Sequence, residues 1–341
     1  MIRLTKKPIP CHLWRIKNRI RKRCSCLDGQ VAKKVIHFPK QRFLPMAFMK
    51  FNPSILWLFI LLFLVPHFSL FSDERENTDD PRLLFNHLEK KLIADGFDEK
   101  QIQLVFAHKD IAFADSIVSR YFMHLESKLN YGQFLKPENL QKARNYMEAH
   151  AKDLDTVESA YGVDKTVIVA ILMVETKLGT YLGKSSIFNT LATMASLDHS
   201  ENREVLWQDN LKNLNLARND YEKKALKKAG WAYSELKALL TFAMREGVDP
   251  VDIIGSYAGA MGISQFMPSN ALTLAVDGDG NGSVDLFTHG DAIASVANYL
   301  KQNGWKPGMN RDGKYKAVYH YNHSKYYVNT VLDMAKALKG S

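Results

Sequence analysis

Cysteine is nearly missing from this chain of 341 residues, and its three copies, Cys11, Cys24 and Cys26, all lie close to the N-terminus. Because no thiol follows residue 26, the rest of the chain has no disulfide framework, no cysteine-ligated zinc site and no cysteine nucleophile. A cysteine-free body suits an oxidising compartment. Any chemistry of the body therefore depends on side chains other than cysteine.

Acidic residues are equally scarce at the N-terminus, where residues 1–50 carry 14 Lys and Arg but a single acid, Asp28. The rest of the chain carries 32 basic and 35 acidic side chains, so the net charge of +10 belongs to the N-terminal segment. A nearly neutral body has no broad phosphate-binding surface. We therefore expect no nucleic acid as a partner.

A long hydrophobic run is missing as well. The longest, residues 55–65, is much shorter than the roughly 20 apolar residues of a spanning helix. Lys50 precedes this run, and the small residue Ser72 precedes an acidic stretch that begins at Asp73, which is typical of a secretory signal peptide. We expect cleavage near residue 73. If the apolar run is extended through Phe71, a retained membrane anchor is the alternative.

Two methionines, Met46 and Met49, stand where such a signal peptide would begin. Residues before them are then either an over-extended start of translation or a disordered basic tail. A membrane is a partner only if the apolar segment is retained. The expected segments are a basic leader over 1–48, a signal peptide or anchor over 49–72, a linker over 73–81 and a folded catalytic region over 82–341.

Helix signals dominate the folded region, whereas the alternation typical of strands is scarce. Asp98 resembles the first residue of a capping box. Pro137 suits a first helical position and Gly162 suits the residue beyond a helix end, which predicts one helix over 137–161. A second helix is predicted over 165–178. The fold class is therefore mainly α.

The helix predicted over 165–178 has no polar face through residues 167–174, so it should be buried on all sides. Glu175 follows at once and shares a face with Ile171 and Leu172. Burial raises the pKa of a carboxyl and favours its protonated form, which suits a general acid for glycosidic bonds. A glutamate that pairs with a buried cation or turns to solvent is the alternative.

Glycines and small residues fill the segment 255–269, where backbone can approach a ligand closely. Ser256, Tyr257 and Gln265 place polar groups beside them and are candidate binding residues. Further along, the segment 319–324 combines aromatic rings with amide and hydroxyl groups, which suits the apolar faces and polar edges of a sugar. A tight helix crossing and a helix-capping turn are the respective alternatives.

Residues 277–285 match a calcium-binding loop. Position 12 of such a loop is Thr288 instead of glutamate, and Asp291 can supply the missing carboxylate. A glycine-rich turn without metal is the alternative, although several convergent carboxylates repel one another without a cation. The residues at positions 1, 3, 5 and 9 are Asp277, Asp279, Asn281 and Asp285.

In this order, these segments resemble the membrane-bound lytic murein transglycosylase B family over roughly residues 82–340. No single motif is specific, but several at family-like spacing are. The motifs that carry the resemblance are residues 174–179, 258–262, 265–269, 277–286, 295–299 and 321–324.

The resemblance implies a mainly α protein with a lysozyme-like catalytic core, added helical elements and a small β and calcium-loop insertion. It implies cleavage of the β-1,4 bond between N-acetylmuramic acid and N-acetylglucosamine of peptidoglycan, leaving a 1,6-anhydromuramic end. The predicted signal peptide indicates the periplasm as the place of action. We expect a monomer whose partner is the glycan strand.

Glu175 would be the lone catalytic carboxyl. By the same resemblance, the glycan groove would include Ser256, Gln265, Tyr299, Tyr321 and Asn322, and a structural Ca²⁺ would be surrounded by Asp277, Asp279, Asn281, Asp285 and Asp291.

The chain departs from the family at several positions. Where relatives often carry two adjacent arginines, it has Asn202 followed by Arg203, so only Arg203 can be carried over as a contact to the stem peptide or glycan. Two other activities remain possible at this point. A hydrolysing muramidase would usually need a second carboxylate facing Glu175, such as Asp198 or Glu201, and a catalytically silent peptidoglycan-binding protein would need none.

Overall fold

The computed structural model describes residues 80–123, 130–212 and 216–340, all within one compact unit that comprises residues 73–341. The predicted leader, the signal peptide or anchor, and the linker up to residue 79 lie outside the described residues. Within the described part of the chain, no helix is both long and apolar enough to cross a membrane.

Thirteen α-helices and one two-stranded antiparallel sheet make up the regular structure of the described residues, together with short 3-10 and π turns. The prediction of a mainly α fold is therefore confirmed. The helices are α1 (Asn86–Ala94), α2 (Glu99–Phe106), α3 (Asp115–Met123), α4 (Pro137–Ala149), α5 (Ala151–Tyr161), α6 (Lys165–Thr176), α7 (Ile187–Ser196), α8 (Ser200–Leu206), α9 (Arg218–Glu246), α10 (Pro268–Leu274), α11 (His289–Gln302), α12 (Arg311–Tyr321) and α13 (Lys325–Lys339), and the strands are β1 (Ser185–Ser186) and β2 (Ile254–Gly255).

Helix α6 lies at the centre of one hydrophobic core. Its residues 167–173 are each at most 1% exposed, and α4, α5, α11 and α13 pack around it. This confirms the expectation that a helix without a polar face is buried on all sides. The helix ends at Thr176, two residues earlier than predicted, because Lys177 and Leu178 both take the left-handed conformation (φ 50° and 62°).

A second core forms around α7, which is buried along its whole length and packs mainly against the long helix α9. Helices α1, α2 and α3 add apolar side chains to it, among them Leu88, Phe106 and Val118. Tyr321, at the end of α12, packs against both cores. The two cores thus meet beside the C-terminal end of α12.

Two of the predicted helix ends and one predicted helix can be compared with the structure. The side chain of Asp98 accepts a hydrogen bond from the amide of Gln101, and Gly162 ends α5 in the left-handed conformation, as predicted. The single helix over 137–161 was wrong, because His150 separates α4 from α5. After the break, α5 packs against α11 instead of following α4 along α13.

Glycines bring three stretches of backbone together beside β1 and β2. A Cβ atom added to Gly183 would lie 2.0 Å from the carbonyl oxygen of Gly255, and one added to Gly255 would lie 2.1 Å from the carbonyl oxygen of Ala260. Real Cβ atoms do not come this close to another atom. The glycine-rich segment therefore permits a close approach of backbone to backbone, and these residues line the cleft described next.

Candidate active site

An open cleft of about 820 Å³ lies where the two cores meet. The end of α6, the 3-10 turn Tyr131–Leu135 and the start of α13 line one part of it. Helix α3, β1 and the loop after β2 line another. The cleft therefore collects residues that are far apart in the sequence.

Glu175 lies in the last turn of α6 and is half-buried in the wall of this cleft. Its Oε1 atom accepts a hydrogen bond of 2.6 Å from the hydroxyl of Tyr327. The next residue, Thr176, donates from its hydroxyl to the carbonyl of Ile263 at 2.9 Å, which fixes the end of the helix. The amide of Ile263 in turn donates to the carbonyl of Leu286 at 2.8 Å. The carboxyl of Glu175 is therefore held both by its own partner and through the helix end.

Two stacked tyrosines stand beside Glu175. The rings of Tyr321 and Tyr327 are nearly parallel, 7° apart with centroids at 6.4 Å, and the hydroxyl of Tyr321 donates to the carbonyl of Ser264 at 2.5 Å. Burial raises the pKa of both phenols well above the usual value, and the negative charge of Glu175 raises it further. Both phenols are therefore protonated at physiological pH, and Tyr327 acts as a donor to the carboxylate.

Glu175 is the only acidic residue among the described residues that line the cleft. The two acids considered as a second carboxylate lie elsewhere. Asp198 forms an ion pair of 2.5 Å with Lys91, and the side chain of Glu201 is 84% exposed beside His199. Neither is placed to act on a water molecule opposite Glu175.

Five of the predicted binding residues line the cleft together with Glu175, namely Ser256, Tyr257, Gln265, Tyr321 and Asn322. The Ser256 hydroxyl accepts hydrogen bonds from the amides of Ala258 (3.3 Å) and Ala260 (3.0 Å), so it shapes the loop after β2. The amide nitrogen of Gln265 donates to the carbonyl of Gly262 at 2.9 Å. This donor orients the Gln265 side chain at the edge of the cleft.

The predicted calcium loop places three carboxylates together. Ligand atoms of Asp277, Asp279 and Asp291 all lie within 4.8 Å of one another. Asp291 is fully buried, and its carboxylate accepts hydrogen bonds from the amides of Gly278 and Asp285. Hard oxygen ligands at this spacing suit Ca²⁺, and the three negative charges repel one another without a cation.

The other two predicted ligands have hydrogen-bonding partners within the loop. The side-chain oxygen of Asn281 accepts hydrogen bonds from the amide and hydroxyl of Ser283, and Asp285 accepts one from the amide of Phe287. Burial raises the pKa of Asp291. Hydrogen bonds from the backbone amides of Gly282, Gly280 and Asn281 lower the pKa of Asp277. The buried carboxylate is thus the one whose charge most needs a compensating cation.

The sequence model of the transglycosylase SLT domain matches residues 82–313, which include Glu175, the loop after β2 and the carboxylate cluster. The chain belongs to the transglycosylase SLT domain family. A curated relative, the membrane-bound lytic murein transglycosylase B of Escherichia coli (strain K12), is 35% identical over 176 residues. That match covers 52% of this chain and 41% of the relative, so it spans less than half of the relative's length.

Solved structures of lytic transglycosylases share the fold of this SLT domain. The soluble lytic transglycosylase SltB1 from Pseudomonas aeruginosa matches with a TM-score of 0.61 at 22% identity, covering 76% of this chain and all of that chain (100%). Escherichia coli SLT35 in complex with calcium matches with a TM-score of 0.58 at 24% identity, and the match covers 75% of this chain and 92% of SLT35. SltB3 from P. aeruginosa in complex with NAG-anhNAM-pentapeptide matches with a TM-score of 0.58 at 22% identity, and the match covers 76% of this chain and 79% of SltB3. The expected lysozyme-like, mainly α fold is thereby confirmed.

Two predicted binding residues of the SLT domain do not line the cleft. Tyr299 is only 8% exposed, packs edge-on against the ring of Tyr321 and donates its hydroxyl to the carbonyl of His320 at 2.7 Å. It lies behind the cleft wall. Arg203 pairs with Glu222 of α9 at 2.5 Å and donates to two backbone carbonyls in the connection between α7 and α8, so its guanidinium already has its partners there.

Several residues that line the cleft were not predicted from the sequence. Tyr327 belongs to the apolar stripe of α13 that continues through Val328, Val331 and Leu332, so the helical period alone would have placed it inside the fold. No comparable signal marks the others, because they lie in short connections or on exposed helix positions. Among them are Arg120, Tyr131, Tyr181 and Lys184.

Proposed function

We propose that this SLT domain is a lytic transglycosylase that cleaves the β-1,4 bond between N-acetylmuramic acid and N-acetylglucosamine of peptidoglycan. The observation that carries this proposal is the single carboxyl among the described residues of the cleft. One carboxyl suffices when no water is added, because the same group can act first as acid and then as base. The names of the relatives and the bound peptidoglycan fragment of SltB3 support the same substrate.

In the first step, protonated Glu175 donates its proton to the leaving 4-oxygen while positive charge develops at C1 of the muramoyl ring. The N-acetyl group of that sugar assists at C1. In the second step, the Glu175 carboxylate removes the proton from the C6 hydroxyl, and the C6 oxygen bonds to C1. The products are a free 4-hydroxyl and a 1,6-anhydromuramic end, and Glu175 regains its proton.

Tyr327 supports both steps through its hydrogen bond to Glu175. Its phenol donates to the carboxylate that exists between the steps and keeps that oxygen in place. Asn322 and Gln265 would bind polar groups of the sugars, and Tyr257 and Tyr321 offer aromatic faces at the same cleft. These residues are binding and positioning groups, and Glu175 alone transfers protons.

Digestion of purified sacculi, followed by mass spectrometry of the soluble products, tests the reaction. A transglycosylase releases muropeptides that are lighter by one water molecule than those of a muramidase, because the C6 hydroxyl replaces water as the nucleophile. Hydrolysed products would contradict the proposed reaction. The absence of any soluble product would instead indicate a binding protein.

We also infer that Asp277, Asp279 and Asp291, together with Asn281 and Asp285 of the same loop, hold a structural Ca²⁺ in this protein, as the calcium complex of SLT35 suggests. When bound, the ion would neutralise the clustered carboxylates and stabilise the loop, and it would not activate water. Asn281 and Asp285 keep the loop folded through their hydrogen bonds.

Chelation of calcium is expected to lower the melting temperature of the protein. An ion that binds only the folded state stabilises it by about 2.7 kcal/mol at a hundredfold excess over its dissociation constant. The Asp277→Ala variant should no longer respond to calcium, whereas Asp209→Ala, an exposed acid outside the loop, should respond like the wild type. Equal melting temperatures with calcium and with chelator, in metal-stripped protein, would contradict the site.

The place of action follows from the substrate, and we propose the periplasm with export directed by the apolar segment 55–65. A chain that begins at Asp73 is expected to fold cooperatively and to digest sacculi as well as any longer form. Mass spectrometry of the native protein measures the N-terminus directly. A peptide that starts near residue 73 supports cleavage, an intact start at Met46 or Met49 indicates a membrane anchor, and peptides from residues 1–45 would contradict the proposed start.

A further inference from the structure

Two basic side chains line the candidate cleft in addition to Glu175. Arg120 lies on α3, Lys184 lies just before β1, and both are exposed. Among the described residues neither forms an ion pair, and the only side-chain hydrogen bond of Arg120 goes to the carbonyl of Ser116 at 3.5 Å, within its own helix. Both charges are therefore available to a molecule in the cleft.

Two other arginines, which do not line the cleft, are already paired. Arg203, the position expected to contact the stem peptide or glycan, binds Glu222, and Arg218 binds Glu204 and Glu222. The described cleft residues thus carry two cations and one acid, and the acid is neutral when Glu175 is ready to donate its proton. A cleft with excess positive charge attracts anionic groups and raises their local concentration.

We propose that Arg120 and Lys184 bind a carboxylate of the peptidoglycan strand and so make the cleft selective for charged glycans over neutral ones. This proposal rests on the proposed function. Guanidinium and ammonium groups form charge-assisted hydrogen bonds to carboxylates, and arginine can do so with two parallel bonds. A neutral strand of N-acetylglucosamine has the same sugar backbone but offers no such anion.

The carboxylate has two chemical sources. In a strand that carries stem peptides, the lactyl carboxyl is part of an amide, and the charge comes from the peptide. In a strand whose peptides have been removed by an amidase, the lactyl group itself carries the charge. Stem-bearing and amidase-treated strands therefore distinguish the two.

The test compares the double variant Arg120→Gln, Lys184→Gln with wild type on both kinds of strand. We expect KM to rise about tenfold on the strand that carries the recognised carboxylate, with kcat nearly unchanged, because charge-assisted hydrogen bonds made equally before and during reaction are lost. Added salt should raise KM of the wild type but have little effect on the double variant. Binding of a neutral N-acetylglucosamine oligosaccharide should be unchanged.

A matched control removes two positive charges from exposed helix positions that do not line the cleft, Lys142 on α4 and Lys224 on α9. Lys142→Gln, Lys224→Gln should keep the wild-type KM on every substrate. If the cleft variant behaves like this control on both charged strands, the proposal is overturned. An equal loss of affinity for the neutral oligosaccharide would overturn it too, since that result indicates a distorted cleft.

Calorimetric binding in the Glu175→Gln background separates this proposal from the proposed function. The affinity for a charged strand is then measured without turnover, and it should again fall about tenfold in the double variant. If hydrolysed products show that the reaction is different, this binding difference still tests the carboxylate contacts. If the reaction is as proposed and the binding difference is missing, only the contacts are wrong.

Discussion

Replacing Glu175 with glutamine is expected to lower the turnover of purified sacculi by about 10²–10⁴-fold, which is the usual contribution of a general acid and base. The amide keeps the size of the side chain and can still accept the hydrogen bond from Tyr327. It cannot donate a proton to the leaving oxygen, nor can it take one from the C6 hydroxyl. Folding and affinity for glycan should therefore change little, and product release followed by chromatography measures the effect.

Glu201→Gln provides the matched control, because that side chain is 84% exposed and lies outside the cleft. Its turnover should equal that of the wild type. A Glu175→Gln variant that keeps more than about a tenth of the wild-type rate would contradict the catalytic assignment, since the loss expected for a general acid and base is at least a hundredfold. An unchanged melting temperature shows that any loss is chemical and does not result from unfolding.

Gly183→Ala is expected to destabilise the fold by about 2 to 5 kcal/mol, which combines a left-handed alanine with the steric cost of an overpacked site. Gly183 has φ of 91°, and its new methyl group would meet the carbonyl oxygen of Gly255 at 2.0 Å. The Cβ atom is fixed by the backbone of residue 183 and the oxygen belongs to the backbone of Gly255, so neither can rotate away. The pairing of β1 with β2 must therefore shift. Denaturant unfolding measures the loss, and activity should fall with it because this backbone lines the cleft.

The Gly304→Ala variant separates the cost of the left-handed backbone from the cost of the steric clash at Gly183. Gly304 has φ of 90°, and an added Cβ would meet no atom within 4 Å. This variant should lose only about 1–2 kcal/mol, the cost of the left-handed conformation itself. Equal losses in the two variants would show that β1 and β2 tolerate the added methyl group.

The helical class and the position of Glu175 could be predicted because their signals are local. Eight consecutive apolar residues before Glu175 require a helix buried on all sides, and the structure buries it. The carboxylates of Asp277, Asp279 and Asp291 were also predictable, since loop spacing and one turn of α11 bring them together. In each of these cases the important neighbours lie within about one loop or helix turn of one another.

Features that depend on distant packing were not predictable in the same way. Nothing in the sequence at His150 indicates a helix end, since neither proline nor glycine stands there. The different packing partners of α4 and α5, α13 and α11, could therefore not be predicted either. Tyr299 and Tyr321 are both aromatic residues of a motif, and the sequence does not distinguish them. In the folded protein their rings pack edge-on, with Tyr321 in the cleft and Tyr299 behind it. Arg203 is equally ambiguous until Glu222 is known to be near.

Hydrogen bonds to the amide and to the carbonyl of Ile263 connect the calcium-loop segment 277–286 to the last turn of α6. The amide of Ile263 binds Leu286, and its carbonyl accepts from Thr176, the neighbour of Glu175. One peptide segment thus sets a fixed distance between these two parts of the chain. Side chains of similar volume can be exchanged at residue 263 without altering that distance. Proline at residue 263 would remove the amide that binds Leu286, so this connection depends on the main chain of residue 263 more than on its side chain.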